Sequence, residues 1–297
     1  MKLSTLAPAK LNICLYVGDR RDDGLHEICS LFQAVTLADV VTMELASGDR
    51  DEIVCPGVEG PNLAATALDR FRERFGWHRP PVRVTIEKHI PVAGGLGGGS
   101  ADAGAVLRLA TKGSGVGAHV EELQELAATI GADVPSQVEP GSHLVLGAGE
   151  VVERLPKIWH IAALLLTNKR GLGTAEVYAR HDELDHGRRH LPHDYALLRE
   201  AITTSEYDPL LFQRLLHNDL EPAALELRPN AGQALELLHE AGARVALLSG
   251  SGPSAFGLFE GSDQADAARA AIAPRWEGAA ITIHQAPSDY AIVRSSE

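Results

Sequence analysis

The chain has 297 residues and a mass of 31.7 kDa, with 40 Asp and Glu against 27 Lys and Arg and a formal net charge of −13. This length accommodates two modest domains or one large one around a substantial core, and the acidic balance argues against nucleic acid or an anionic membrane surface as the main partner, since both need clustered Lys and Arg. Small anionic substrates stay open, and three scattered cysteines (Cys14, Cys29 and Cys55), no signal-peptide core and no apolar run of about 18 residues suit a reduced, cytoplasmic protein.

Leu11, Ile13, Leu15 and Val17 alternate with Lys10, Asn12, Cys14 and Tyr16, the period of a half-buried strand that sets Lys10 and Asn12 on one face. The polar run 19–24 reads as a connection, and the apolar segments 31–35 and 40–45 read as two further strands. Asn62 is positioned to cap a helix whose apolar residues Ala64, Ala67, Leu68, Phe71 and Phe75 keep helical spacing up to a stop at Gly76. Val82, Val84 and Ile86 then predict a strand running into Pro91.

Next comes the densest local signal, Pro91-Val92-Ala93-Gly94-Gly95-Leu96-Gly97-Gly98-Gly99-Ser100-Ala101, followed by Ala103, Val106, Leu107 and Ala110 at helical spacing. A second amphipathic helix, with Val120, Leu123, Ala127 and Ile130 inward, stops at Gly131 and leaves Asp133 on a loop. A boundary is expected near Pro156 to Trp159, dividing an N-terminal α/β domain (1–157) from a C-terminal domain (158–297). In the latter, a buried strand at 161–166, helices, a helix at 230–240, strands at 245–248 and 255–259, an Ala-rich helix after Ser262 and a strand at 281–284 give the β-α-β-β-α-β order of a ferredoxin-like domain.

A glycine loop between a strand and a helix is an anion site in waiting. Free amides at the helix start and the positive end of the helix dipole favour phosphate, and glycines let the backbone approach it. Two motifs fail here. Gly94 to Gly99 has the G-x-x-x-x-G spacing, but Ser100 follows where a Walker loop needs Lys, and Gly95-x-Gly97 meets Ser100 in place of the third glycine of a dinucleotide fingerprint. A dinucleotide-dependent oxidoreductase is accordingly disfavoured.

Pro91 to Ala101 resembles the P-x-x-x-G-L-G-S-S-A loop of the GHMP small-molecule kinases, the group of galactokinase, homoserine kinase, mevalonate kinase and phosphomevalonate kinase. Within it, Ala7-Pro8-Ala9-Lys10-Leu11-Asn12-Ile13, Asp23-Gly24-Leu25-His26-Glu27-Ile28, Gly131-Ala132-Asp133-Val134-Pro135 and Ser249-Gly250-Ser251-Gly252-Pro253-Ser254 are similar, in order along almost the full chain, to the 4-diphosphocytidyl-2-C-methyl-D-erythritol kinase branch of isoprenoid synthesis. The resemblance implies an α/β (α+β) two-domain GHMP kinase fold, with an N-terminal domain like ribosomal-protein S5 domain 2 and a ferredoxin-like C-terminal domain. It also implies transfer of the γ-phosphoryl of ATP, with Mg²⁺, to the 2-hydroxyl of a cytidine diphosphate ester of a methylated polyol.

By the same resemblance Asp133 is the catalytic aspartate, Lys10 pairs with it and steadies developing charge, and residues 91–101 bind ATP. Asn12 would hydrogen-bond the substrate or the catalytic pair, and His26 would read the cytosine. Ser100 would contact phosphate or Mg²⁺, or cap the helix; Asn62 and Lys88 fall where the family lines its adenine pocket; and Gly250-Ser251-Gly252 supports the cleft. The Mg²⁺ ligands are left open, as is the choice between monomer and homodimer.

Departures from the branch concentrate on the acceptor side: Leu25 replaces a tyrosine expected to stack on cytosine, Ser136 and Gln137 stand where apolar or aromatic residues are usual, and His143 lies near another position expected to line the pocket. Two alternatives follow, a GHMP kinase for a different small alcohol and a non-catalytic nucleotide-binding regulator on the same fold. The presence of both Lys10 and Asp133 weighs against the second. His186, His190 and His193 carry no metal motif and read as a solvated loop.

Overall fold

The computed structural model describes residues 2–78, 80–155, 162–184, 191–204 and 215–296. The expected domain boundary at 156–159 lies outside them.

Two long antiparallel strands, β1 (Lys2–Arg20) and β2 (His26–Leu45), form the spine. The segments 31–35 and 40–45, expected as separate strands, are two halves of β2. The polar stretch between them does not break the strand, because each half finds its own partner. Ile28 to Gln33 pair with β5 (Ser142–Gly147), and Val40 to Leu45 pair with β4 (Val82–Glu87). The short strands β3 (Glu52–Val54) and β6 (Val151–Arg154), which the sequence did not disclose, extend β4 and β5. β11 (Arg294–Ser296) returns to pair with the outer edge of β1.

Helix α1 (Leu63–Phe75) begins as expected, with the Asn62 side chain accepting from the Ala64 amide, and it ends at Gly76. Central to the helical layer is α2 (Gly98–Ser114), which packs on α1 and on β1 and β2. Small residues along it allow close approach: a Cβ at Gly104 would sit 2.4 Å from the Gln137 carbonyl in the short helix α4 (Val134–Val138). α3 (Val120–Ala128) completes this layer. Phe71, Leu11, Ile13, Leu31 and Leu107 fill the core between helices and sheet, each fully buried large side chain contributing about 1.5–3 kcal/mol.

The second sheet has the order β10-β7-β9-β8, from β7 (Ala162–Leu166), β8 (Val245–Leu248), β9 (Ala255–Phe259) and β10 (Ala280–His284). All its pairs are antiparallel, which is the 4-1-3-2 arrangement expected from the β-α-β-β-α-β order. Helices α5 (Thr174–Glu183), α6 (Leu191–Thr204), α7 (Glu221–Leu227) and α8 (Asn230–Glu240) are inserted after β7, and α9 (Ser262–Ile272) precedes β10. The two halves share apolar packing, since Leu15, Val17, Ile28 and Phe32 of β1 and β2 belong to the same buried cluster as Leu164, Leu248 and Leu220. Among the described residues no helix is long and apolar enough to cross a membrane.

Candidate active site

Period-2 alternation in β1 brings Lys10 and Asn12 to one face, where Lys10 Nζ donates to Asn12 Oδ1 at 2.5 Å. Asn12 is held in turn by Ser30, whose hydroxyl accepts from Asn12 Nδ2 at 3.0 Å and donates to the Cys14 carbonyl. Both residues are buried, and Lys10 Nζ also lies 4.5 Å above the Phe32 ring. Asp133, the N-cap residue of α4, meets Lys10 Nζ at 3.4 Å through Oδ2 and keeps about a third of its side chain open to solvent.

The glycine loop runs directly beneath this pair. The Lys10 amide donates to the Leu96 carbonyl at 3.0 Å, and Gly97 (φ 67°) passes so close that a Cβ there would lie 3.0 Å from Lys10 Cγ and 3.6 Å from Asp133 Oδ2. Gly97 caps α2, so the helix opens at Gly98 and Ser100 stands in its first turn; the helix begins two residues before the expected Ser100 cap. Amides of such a first turn have no acceptor inside the helix and face outward with the positive end of the dipole.

Residues 91–100 line a cavity of about 380 Å³ with Lys10, Asn12, Asn62, Lys88 and Asp133. Ala101 does not reach it and is buried in the core. His26 opens instead onto a second cavity of about 620 Å³, with Leu25, Tyr178 and Asp182. The two cavities meet at Ile28, Leu63, Ser100, Asp133, Thr174 and Tyr178, so the catalytic candidate Asp133 stands at their junction.

Lys88 is no solvated lysine. Its Nζ bridges Asp39 Oδ2 at 2.5 Å and Asp102 Oδ2 at 2.7 Å, while Asp39 Oδ1 accepts from the amides of His89 and Ile90 where the chain enters the glycine loop. Burial works against the Lys88 charge, but the two carboxylates outweigh it and raise its pKa. Asp102 is also buried, which pushes its pKa up to about 7 against the pull of Lys88. Two carboxylates thus share one ammonium, and Lys88 adds no net positive charge to the cavity.

An acid whose folded pKa lies above its ordinary value of 3.8 binds its proton more tightly when folded, so its contribution is full at low pH and is lost as the pH rises through about 7. Urea unfolding as a function of pH should therefore show a decline in stability between about pH 4 and about pH 7 that is shallower in Asp102→Asn.

The acceptor side reads differently from expectation. Of the departures only Leu25 lines either of these two cavities, and it is exposed; Ser136 and Gln137 are buried in α4. His143 is buried in β5, away from both cavities, with its pKa lowered to about 4 by burial and by Arg154. The aromatic surface comes from α5 of the other domain. The Tyr178 ring stacks on His26 with centroids 5.0 Å apart, and His26 Nε2 pairs with Asp182 Oδ1 at 2.7 Å. Burial, with Asp133 beside it, raises the Tyr178 hydroxyl pKa. Sequence reading missed Tyr178 and Thr174; their i, i+4 spacing after Gly173 was the available signal.

The loop 249–252 closes the site from the C-terminal domain. Ser249 Oγ donates to the Gly95 carbonyl at 3.0 Å, Ser251 Oγ and Thr174 Oγ1 are 3.1 Å apart, and Asn218 Nδ2 braces the loop through the carbonyls of Leu248 and Gly250. Asp102 Oδ1 is buried without a hydrogen-bond partner, and Ser100 lines the same cavity; such oxygen donors suit a hard cation shared with phosphates. Among the described residues no three His, Cys, Asp or Glu side chains converge on one point, while His186, His190 and the side chain of His193 lie outside them.

Residues 62–141 match the family of GHMP kinases N terminal domains and residues 193–277 that of GHMP kinases C terminal domains. The chain is 37% identical over 287 residues to the 4-diphosphocytidyl-2-C-methyl-D-erythritol kinase of Syntrophotalea carbinolica, covering 94% of this chain and 98% of that protein. It is 36% identical over 295 residues to the kinase of that name from Streptomyces avermitilis, covering 97% of each. A crystal structure of 4-(cytidine 5'-diphospho)-2C-methyl-D-erythritol kinase superposes with a TM-score of 0.75 at 32% identity, over 95% of this chain and 99% of that one.

Proposed function

Since the chain belongs to the 4-diphosphocytidyl-2-C-methyl-D-erythritol kinase family of the GHMP kinases, we propose that it transfers the γ-phosphoryl group of ATP to the 2-hydroxyl of 4-diphosphocytidyl-2-C-methyl-D-erythritol. The observation that carries this reading is the junction of two cavities at Asp133, one walled by a glycine loop and a helix N-terminus, the other by an aromatic and histidine pair.

ATP lies along residues 91–100, its phosphates against the first-turn amides of α2 and the Ser100 hydroxyl. Asp133 accepts the proton of the acceptor hydroxyl as the oxygen bonds to the γ-phosphorus; the bond from that phosphorus to the bridging oxygen breaks, and ADP leaves with the electron pair. Lys10, 3.4 Å from Asp133 and fixed by Asn12, offers its ammonium to the charge gathering on the transferring group. Cytosine binds by His26 and Tyr178, Asp182 holding the imidazole. Ser100 and the Asp102 oxygen without a hydrogen-bond partner would hold Mg²⁺, which when bound would offset phosphate charge. With a net charge of −13, the protein attracts two anionic ligands only locally, through these amides and Lys10.

ADP release should be measured with ATP, Mg²⁺ and a panel of alcohols. Turnover of the cytidine diphosphate ester, with homoserine and mevalonate inert, is expected; turnover of another alcohol in its absence overturns the reading. Tyr178→Ala should raise KM for the cytidine substrate about 10-fold, the value of one lost aromatic contact of about 1.4 kcal/mol, and leave KM for ATP unchanged.

A further inference from the structure

Arg108 of α2 makes no ion pair with any carboxylate among the described residues and spends its guanidinium on two backbone carbonyls. Nη1 donates to the Gln137 carbonyl at 2.5 Å and Nη2 to the Leu6 carbonyl at 2.8 Å. The residue is partly buried, and its Nε is sealed from solvent and has no acceptor. Burial lowers the pKa to about 9 with no opposing charge to raise it. A cation so placed gains little from Coulomb attraction, and what it retains is geometry: a rigid fork with two fixed donors.

Both carbonyls lie on elements that carry the catalytic pair. Leu6 is four residues before Lys10 on β1, and Gln137 is four residues after Asp133 across the single turn of α4. Arg108 itself stands eight residues beyond Ser100 on α2, about 12 Å along the helix whose first turn forms the phosphate site. α2 packs on both β1 and α4, and the close contact of Gly104 with the Gln137 carbonyl leaves no room for adjustment there.

We infer that Arg108 is a positioning residue that sets the Lys10 to Asp133 separation, and the height of both above the glycine loop, by tying three elements together through one planar group. The inference rests on the catalytic roles given to Lys10 and Asp133 above. It requires that loss of the fork misplace the pair by a fraction of an ångström to an ångström while the ATP loop, held separately by Asp39 and Ser249, stays in place.

The test combines Arg108→Met, Arg108→Lys and Asp133→Asn in single-turnover ADP formation, with the folded fraction measured by circular dichroism. Arg108→Met should lower the rate about 10²-fold, the scale of a 1 Å misplacement, with KM for ATP held within about twofold. Arg108→Lys, which keeps the charge and can satisfy one carbonyl, should recover part of the loss and carries the test where Arg108→Met does not fold. In an Asp133→Asn background either Arg108 variant should cost little more, because both changes act through the same contact. An unchanged rate per folded molecule in Arg108→Lys and Arg108→Met, or losses that add in full to that of Asp133→Asn, overturns the inference. A normal rate in Asp133→Asn alone overturns instead the catalytic role of Asp133.

Discussion

Asp133→Asn should lower kcat by about 10²–10⁴-fold, the range for loss of a positioned general base, while ATP binding measured by calorimetry stays within about twofold of the parent. Asparagine preserves the shape at the N-cap of α4 and leaves the Lys10 to Asn12 contact in place, so the site keeps its architecture and loses one proton acceptor. The other described carboxylates that line the two cavities are already engaged: Asp102 is tied, with Asp39, to Lys88, and Asp182 is paired with His26. An equal fall in kcat and in ATP affinity would mean that Asp133 shapes the phosphate site. An unchanged kcat would leave proton removal to solvent or to the phosphate itself.

How far the sequence revealed this arrangement depended on whether the relevant residues were neighbours in the chain. The glycine loop and the shared face of Lys10 and Asn12 are local patterns, and the motif order carried the two-domain GHMP kinase fold, which is the fold observed. Element order also carried the ferredoxin-like C-terminal domain, whose four-stranded antiparallel sheet is observed. What escaped was pairing at a distance. β2 reads as two strands because its hydrophobic pattern relaxes at 36–39, and only partners from residues 82–87 and 142–147 show that it is one. Leu25 looked like the loss of an aromatic wall, whereas the ring comes from Tyr178, more than 150 residues away, on a helix the sequence placed only loosely. Family position set Lys88 at the cavity wall, which it does line, but nothing local announces that Asp39 and Asp102 will be buried beside it. Side chains whose partners are distant have no periodicity to betray them.

That same distance dependence fixes the second large effect. Gly95→Ala should destabilise the protein by roughly 2–5 kcal/mol, combining left-handed backbone strain with forced overpacking, and should raise KM for ATP well beyond any change in KM for the acceptor. Gly95 has φ 78°, and a Cβ there would stand 2.0 Å from the Ser249 carbonyl oxygen and 2.9 Å from the Gly252 amide nitrogen. These are backbone atoms, and Asn218 braces the loop from behind through Leu248 and Gly250, so the loop has little freedom to retreat. The glycine loop would have to move instead, breaking the Ser249 to Gly95 hydrogen bond and tilting the first turn of α2 away from the phosphates. Gly117→Ala is the control: nothing lies within 4 Å of a Cβ at that position, and thermal unfolding and ATP kinetics should both match the parent. A stable Gly95→Ala with normal ATP kinetics would show that the loop keeps its shape without the C-terminal domain. Loss of ATP affinity out of proportion to stability would show that the shape of the phosphate site is imposed across the domain interface, by residues about 150 positions away.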